Sequence, residues 1–228
     1  MSDARNGSAA SRELATLALD ASTSVGTVAV FRGSTLAAER EVQMRGGRDE
    51  RLMPAVDEAL REAGVAVAAL DRVVCGAGPG GFTGLRIAAS IAKGICLAGG
   101  LPLYADSSLV AIVGAARPAL PPGHYVAALD ALRGEWFAQE VRVSEGGAAA
   151  ARGPARLARR EELAGGGVRV VGPGWDGELR PHARGFAAAL RVLDGGTAVD
   201  LATWEPDYGR LAEAQARWEA AHGRPLAP

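Results

Sequence analysis

The sequence is poor in the residues from which many functional sites are built. Its 228 residues include two cysteines, three histidines and one lysine, and only 5% are aromatic. Two cysteines are too few for a thiolate zinc site or a disulfide framework, so Cys75 and Cys96, which lie in apolar segments, are predicted to be buried reduced thiols. The low aromatic content argues against a surface that stacks nucleic-acid bases.

Neither charge nor apolar runs are in excess. With 25 basic and 26 acidic side chains the net charge is −1, which argues against a chain that holds nucleic acid by itself, because such binding depends mainly on neutralising phosphates. No apolar run reaches the roughly 18 residues of a membrane span, and no apolar signal core precedes Arg12. We therefore expect a cytoplasmic protein without a membrane partner, and a disordered tail over 1–12.

Strand and helix patterns follow one another in a regular order through the first half. Short apolar stretches joined by small polar turns predict three antiparallel strands, after which helical and strand patterns alternate. The predicted strands are 14–20, 25–31, 35–43, 72–77 and 101–105, and the predicted helices are 50–64, 82–98 and 107–116. The first lobe, residues 13–117, is therefore an α/β unit that begins βββαβα.

A proline-rich stretch opens a smaller second lobe, 118–228. There the predicted strand 124–130 ends in Leu-Asp as the first strand of the chain does, and strand 168–171 runs into Gly-Pro-Gly as a strand of the first half does. Two matched features in the same order favour an internal duplication. Chance is the alternative, since glycine and proline are common in this chain.

The strongest local motif is Gly-Ala-Gly-Pro-Gly-Gly-Phe-Thr-Gly-Leu-Arg, residues 76–86, which joins a strand to a helix. Glycines such as Gly78 and Gly80 let another group approach the backbone closely, and a helix start favours an anion. Thr83 could cap this helix and Arg86 could add a charge-assisted bond.

This motif leaves two interpretations open. A P-loop is excluded, because Phe82 stands where the lysine must be. A dinucleotide-binding turn through Gly76, Gly78 and Gly81 has the required spacing, although an antiparallel meander is an unusual opening for that fold. The other interpretation is a tight turn that packs strand against helix and binds no ligand.

The bend after the first strand carries Asp20, Ser22 and Thr23. It resembles the acidic phosphate-loop hairpin of actin-like ATPases, in which small hydroxyl residues face phosphates and an aspartate holds the metal through water. The alternative is an ordinary turn, since Asp, Ser and Thr are common turn formers.

Taken in order, these motifs resemble the TsaB (YeaZ) family. The matching segments are Leu-Ala-Leu-Asp-Ala-Ser-Thr at 17–23, Leu-Met-Pro at 52–54, Gly-Pro-Gly-Gly-Phe-Thr-Gly-Leu-Arg-Ile at 78–87, Ala-Lys-Gly at 92–94, Ser-Ser-Leu at 107–109 and Leu-Asp-Ala-Leu-Arg-Gly-Glu at 129–135. Two positions depart from the family, because Gly81 replaces its usual serine and Arg48 replaces a histidine commonly found before the first helix.

The resemblance implies a two-lobed actin-like (ASKHA, ribonuclease H-like) fold and a role in making threonylcarbamoyladenosine at position 37 of tRNA. It implies a non-catalytic subunit that binds and activates a TsaD-type subunit. A TsaE-type ATPase would join the assembly, and tRNA would be reached through the complex. The free protein is expected to be a homodimer, and ATP or ADP is expected only at the complex.

The residues themselves predict no independent catalysis and no metal site. His124, His182 and His222 are too far apart for a His-x-x-x-His pair on one helix. After Asp130, the bulk of Leu132 would crowd a phosphate at the second hairpin. The isolated chain is therefore expected to hold no cofactor. The vestigial phosphate-loop candidates are Asp20, Ser22, Thr23, Gly78, Gly80, Thr83 and Arg86.

Two catalytic alternatives stay open beside this hypothesis. One is a stand-alone ASKHA ATPase or small kinase that holds Mg-ATP between Asp20 and Asp130. The less favoured one is a dinucleotide-binding enzyme that uses the glycine turn.

The predicted helix 82–98 is apolar on almost every side, which indicates that it is buried on more than one side. With the preceding helix it could meet the same two helices of a partner, either a TsaD-type subunit or a second copy. The predicted interface residues are Leu52, Met53, Val56, Leu60, Ile87, Ile91 and Ile95. The alternative is a core helix covered by the second half of its own chain.

Overall fold

The computed structural model describes residues 12–44, 50–187, 190, 196–209 and 221–223. Over these residues the chain forms two mixed sheets of five strands each. The strands are β1 (Ala15–Asp20), β2 (Val25–Arg32), β3 (Thr35–Gln43), β4 (Arg72–Gly76), β5 (Leu103–Asp106), β6 (Gly123–Asp130), β7 (Glu135–Val143), β8 (Ala149–Ala151), β9 (Arg156–Arg159) and β10 (Arg169–Val171). The helices are α1 (Leu52–Glu62), α2 (Phe82–Gly99), α3 (Ser108–Gly114) and α4 (Arg160–Gly165).

The first sheet has the order β3-β2-β1-β4-β5 and is covered on both faces. Every residue of its central strand β1 is buried. Because side chains alternate along a strand, Leu17 and Leu19 pack towards α1 and α2, whereas Ala18 packs with Phe186 on the opposite face. This two-sided burial explains why β1 is apolar almost throughout, up to the aspartate at its end.

Helix α2 follows the glycine turn and lies against the first sheet. Its buried residues are Gly84, Leu85, Ala88, Ala89, Ala92 and Cys96. Among the described helices it alone is long and apolar enough to cross a membrane, with a mean hydropathy of 1.2. Arg86 and Lys93 interrupt its apolar surface, and its buried side chains belong to the protein core.

The second sheet repeats the central pairing of the first. Strand β1 lies between antiparallel β2 and parallel β4, and β6 lies in the same way between antiparallel β7 and parallel β10. In both sheets the parallel neighbour runs into a Gly-Pro-Gly sequence. The shared topology supports the internal duplication suggested by the sequence over chance.

The predicted mixed α/β class is confirmed, and each strand and helix predicted for 13–117 lies within two residues of its expected bounds. The prediction missed β8, β9, α4 and the short 3-10 turns Val67–Ala69 and Ala183–Phe186. These missed elements have at most six residues each, too few for hydrophobic periodicity to register.

Described segments after residue 182 pack against the first sheet. The turn Ala183–Phe186 packs against Ala18, Ala29 and Phe31, and Val199, Leu201 and Trp204 pack against the core that α2 shares with the first sheet. The predicted second lobe, 118–228, therefore contributes to the core of the first. The predicted tail up to residue 11, and Arg48, lie outside the described residues.

Candidate functional site

The β1–β2 bend and the glycine turn before α2 contact each other directly. The Gly81 N–H donates to the Ser22 carbonyl oxygen over 2.7 Å. A Cβ atom at Gly80 would lie 2.3 Å from the same oxygen, and one at Gly84 would lie 2.1 Å from the Ala21 carbonyl oxygen. No side chain fits at such distances, so these two glycines allow the two loops to pack backbone against backbone.

Asp20 is buried at the centre of this contact and is held by three hydrogen bonds. Its Oδ1 accepts from the Ser22 amide at 3.0 Å and the Ser22 hydroxyl at 2.7 Å, and its Oδ2 accepts from the Ser108 hydroxyl at 2.5 Å. The Ser108 Oγ accepts in turn from the Gly78 N–H at 3.1 Å. Burial raises the pKa of the Asp20 carboxyl above its usual range, and these hydrogen bonds oppose the rise.

The bonding places the predicted phosphate-loop groups in contact with one another. Carbonyl oxygens of the bend face the glycine turn, where a phosphate would need hydrogen-bond donors. The Asp20 carboxylate accepts from Ser22 and Ser108. The Thr23 hydroxyl bonds to Val25 of its own bend. The interpretation of the glycine turn as packing without a ligand accounts for all of these contacts.

Two further candidates have other roles than the predicted ones. The N-cap of α2 is Gly81 without a side-chain cap bond, so the expected capping by Thr83 is wrong. Arg86 lies over the Phe82 ring, with its guanidinium 5.3 Å from the ring centroid. Phe82 also packs against the Tyr208 ring, with centroids 4.6 Å apart and the ring planes tilted by 46°.

The second hairpin, between β6 and β7, is closed by its own side chain. Asp130 Oδ1 accepts from the Leu132 N–H at 2.7 Å, and Leu132 and Arg133 both adopt positive φ angles, of 64° and 58°. The Asp130 carboxylate is therefore engaged in its own turn. Among the described residues, no side-chain hydrogen bond bridges Asp20 and Asp130.

The described residues contain no group of three or more His, Cys, Asp or Glu side chains that could hold a metal ion. Cys75 and Cys96 are buried and unpaired, as predicted. Burial raises the pKa of both thiols, that of Cys96 to about 11, so neither is a reactive thiolate at neutral pH.

The predicted interface residues divide into two groups. Leu52, Val56 and Leu60 lie inside the core of the first sheet, so in this structure they face inward and not towards a partner. Their apolar spacing reflects packing of α1 on the sheet. The others lie further out: Met53 is 42% exposed, and Ile87, Ile91 and Ile95 are half-buried at the edge of the core.

A surface on α2 remains uncovered by the described residues. We call it the outer face of α2. It consists of half-buried Ile87, Ile91 and Ile95 together with exposed Ser90, Gly94, Leu97 and Ala98. Ser90, Gly94 and Ala98 follow one another at intervals of four residues and so lie along one line of the helix. A Cβ atom at Gly94 would meet nothing within 4 Å, so this line is open to a close approach.

The opposite flank of α2 is covered by the second half of the chain, as the alternative interpretation of this helix expected. We call residues 199–208 the C-terminal strap. The Asp207 N–H donates to the Ala77 carbonyl oxygen at 2.7 Å, and the Trp204 ring lies under the Lys93 ammonium, 5.7 Å from the ring centroid. The strap thus supplies part of the second cover that an apolar helix needs.

The sequence matches the model of a known protein family. The model for tRNA N6-adenosine threonylcarbamoyltransferase, TsaD, matches residues 48–167. This is more than half of the chain, so the chain belongs to the TsaD family.

Individual relatives indicate which members of that family the chain is similar to in sequence. The protein is 36% identical over 132 residues to the tRNA threonylcarbamoyladenosine biosynthesis protein TsaB of Haemophilus influenzae, over 58% of this chain and 56% of the relative. It therefore spans little more than half the length of that curated relative.

Two solved structures cover more of the chain. YeaZ from Pseudomonas aeruginosa has a TM-score of 0.75 and 28% identity, over 86% of this chain and 99% of its own. A Pseudomonas aeruginosa protein described as uncharacterized, with similarity to peptidase YEAZ, has the same TM-score and 27% identity, over 86% and 100%. Within the family the chain is a TsaB/YeaZ protein, and the resemblance inferred from its motifs is confirmed.

Proposed function

We propose that this chain is a non-catalytic subunit that binds and activates a TsaD-type subunit in threonylcarbamoyl transfer to adenosine 37 of tRNA. The observation that carries the proposal is the uncovered outer face of α2, in a chain whose phosphate-loop groups are bonded to one another. The proposal includes a two-lobed actin-like origin, to which the repeated strand pairing of the two sheets lends support.

The contacts at the first hairpin argue for a structural and not a catalytic role there. An actin-like ATPase would need the Asp20 carboxylate and the glycine-turn amides free for metal and phosphate. Here Ser22 and Ser108 take the carboxylate, and the Ser22 carbonyl oxygen takes the Gly81 amide. Binding a phosphate would require these buried bonds to break, and each broken bond leaves a polar group that is costly to bury.

Peptidase chemistry, which one relative's description mentions, lacks support in the same residues. A serine or cysteine nucleophile needs an adjacent base. The Ser108 hydroxyl instead donates to a carboxylate inside the core, and burial keeps the Cys75 and Cys96 thiols protonated.

The outer face of α2 has the chemistry of a helix-docking surface. Half-buried isoleucines provide apolar area, while Ser90, Gly94 and Ala98 allow a second helix to approach closely. Ridges of a partner helix would pack along this line, as in other helix pairs. The same face could serve a second copy of the chain in the absence of the TsaD-type subunit, consistent with the expected homodimer.

Mixing with a TsaD-type subunit tests the proposal. We expect co-elution in size-exclusion chromatography and a rise in threonylcarbamoyl transfer by the TsaD-type subunit. Gly94→Trp should weaken binding by at least about tenfold, because a bulky ring on the outer face prevents close helix packing.

Ala150→Trp is the matched control, since Ala150 is exposed on β8 of the second sheet. It should bind as the unaltered chain does. Separate elution of the two unaltered proteins at micromolar concentration, or full binding by the Gly94→Trp variant, would contradict the proposal. A TsaE-type ATPase and tRNA would be added to the same experiment once the pair has formed.

A further inference from the structure

A cavity of about 230 Å³ lies beside the first hairpin, and none of the glycine-turn residues lines it. Its walls come from the start of β2, from Glu41 on β3, from the end of α3 and from the segment 178–184. The volume is below the ~300 to 1,000 Å³ of sites that hold drug-sized ligands. An occupant would therefore be a small molecule.

His182 lines this cavity with one unsatisfied donor. The ring is 3% exposed, and its Nδ1 accepts from the Arg184 N–H at 3.0 Å, so the ring proton lies on Nε2. Nε2 is buried and has no hydrogen-bond partner among the described residues. Carboxylate oxygens of Glu41 and Glu39 lie 3.3 Å and 3.7 Å away, outside hydrogen-bonding geometry. Burial, with nearby Arg184, lowers the pKa of His182 to about 4, so the ring is neutral at pH 7.

Not every charged side chain around the cavity forms an ion pair with another side chain. Glu39 is bound by Arg117 at 3.0 Å and by Arg184 at 3.2 Å, which accounts for these three. Arg180, at the cavity wall, makes no ion pair or hydrogen bond that the structure records among its described residues. Glu41 keeps a carboxylate that is 61% exposed. Arg180 and Glu41 are therefore a cation and an anion that line the same cavity as His182 and are available to a ligand.

We propose that this cavity binds a small zwitterion of the amino-acid class. Its carboxylate would accept from the Arg180 guanidinium and from the His182 Nε2–H, and its ammonium group would donate to Glu41. A simple anion such as phosphate would face Glu41 and Glu178 without a countercharge of its own. A simple amine would meet three arginines. A zwitterion satisfies groups of both signs, and charge-assisted bonds of this kind are the strong ones.

Isothermal titration calorimetry of the full chain with the free proteinogenic amino acids tests the inference. We expect saturable binding of at least one of them at millimolar concentration. Its N-acetyl derivative, without the ammonium, and its methyl ester, without the carboxylate, should each bind at least about tenfold more weakly. The absence of saturable binding by any amino acid, equal binding of the derivatives, or equal binding of inorganic phosphate would overturn the inference.

Variants assign the ligand to the cavity. Arg180→Gln, and His182→Asn, which keeps an acceptor near the position of Nδ1, should each weaken binding by about tenfold. Arg133→Gln, on the exposed second hairpin, should leave it unchanged. Arg180 is exposed, so the Arg180→Gln variant tests the site even if the buried His182 variant fails to fold. Unchanged affinity of Arg180→Gln would overturn the inference. Neither result bears on partner docking, because no wall residue belongs to the outer face of α2.

Discussion

Two aspartates at the ends of strands of the first sheet are held in environments that disfavour their charge. Asp20 ends β1 and Asp106 ends β5, with β4 between them. Burial raises the pKa of Asp106 to about 6, although the Ser107 N–H donates to its Oδ1 at 2.7 Å. The protein therefore keeps at least one carboxyl that titrates well above an ordinary aspartate.

Replacing Asp106 by Asn should stabilise the protein at neutral pH. Between about pH 4 and 6 the native carboxyl holds a proton that the unfolded chain has lost, so the free energy of unfolding falls as pH rises through this window. The variant removes this loss, and we expect it to gain about 1 to 3 kcal/mol at pH 7 and nothing at pH 3.5. Urea unfolding of both proteins at each pH measures the difference, in which contributions from Asp20 and Glu39 cancel. Equal stability at pH 7 would contradict the prediction.

Glycines in this chain are required at some positions and replaceable at others. A Cβ atom at Gly76 would lie 2.1 Å from Asp20 Oδ2, whereas one at Gly94 meets nothing within 4 Å. We expect Gly76→Ala to cost about 1 to 3 kcal/mol, because the buried carboxyl has to move. Gly94→Ala should instead stabilise the exposed helix by about 0.5 to 1 kcal/mol. Chemical denaturation of both variants checks the contrast, and a similar change in the two would contradict it.

The C-terminal strap supplies part of the cover over the second side of α2. Phe82, in the first turn of α2, packs against Tyr208 of the strap. Tyr208→Ala removes this ring pair, worth about 0.5 to 1.5 kcal/mol. We expect faster native-state hydrogen exchange at the first hydrogen-bonded amides of α2, beginning with Leu85, and unchanged exchange in β6 and β7. Uniform acceleration in both sheets would show instead that the strap stabilises the whole fold.

Prediction from the sequence succeeded for strands and helices whose residue pattern depends only on the element itself. The strands and helices up to α3 follow from alternation, turns and apolar faces, all of which depend on near neighbours in the chain. The roles of Leu52, Val56 and Leu60 could not be read in this way, because an apolar stripe looks alike whether it meets its own sheet or a partner. Cover of α2 by the second half of the chain was one of two alternatives, but the segment that provides it could not be identified, because its contacts join residues more than a hundred positions apart, such as Phe82 and Tyr208.

Across the whole molecule, the two sheets share one strand arrangement, and the hairpin after each central strand is bonded to itself. In both sheets a strand that ends in Leu-Asp lies between one antiparallel and one parallel neighbour. In each, the aspartate bonds to its own hairpin: Asp20 to Ser22, and Asp130 to the Leu132 amide. A scaffold whose two hairpins hold themselves closed is suited to present a fixed surface to another protein.

That closure predicts that the isolated chain does not bind Mg-ATP. The Ser22 carbonyl oxygen accepts from the Gly81 amide, and the buried Asp20 carboxylate accepts from Ser22 and Ser108, so a triphosphate at this turn would have to displace buried hydrogen bonds. Calorimetric titration with Mg-ATP up to about 1 mM, the upper end of usual KM values, should give no saturable heat. The TsaD-type subunit, titrated alone and then with the chain, separates binding at the complex from binding to this protein. Tight binding by the chain alone, weakened by Asp20→Asn, would replace the accessory role with that of an ATPase or small kinase.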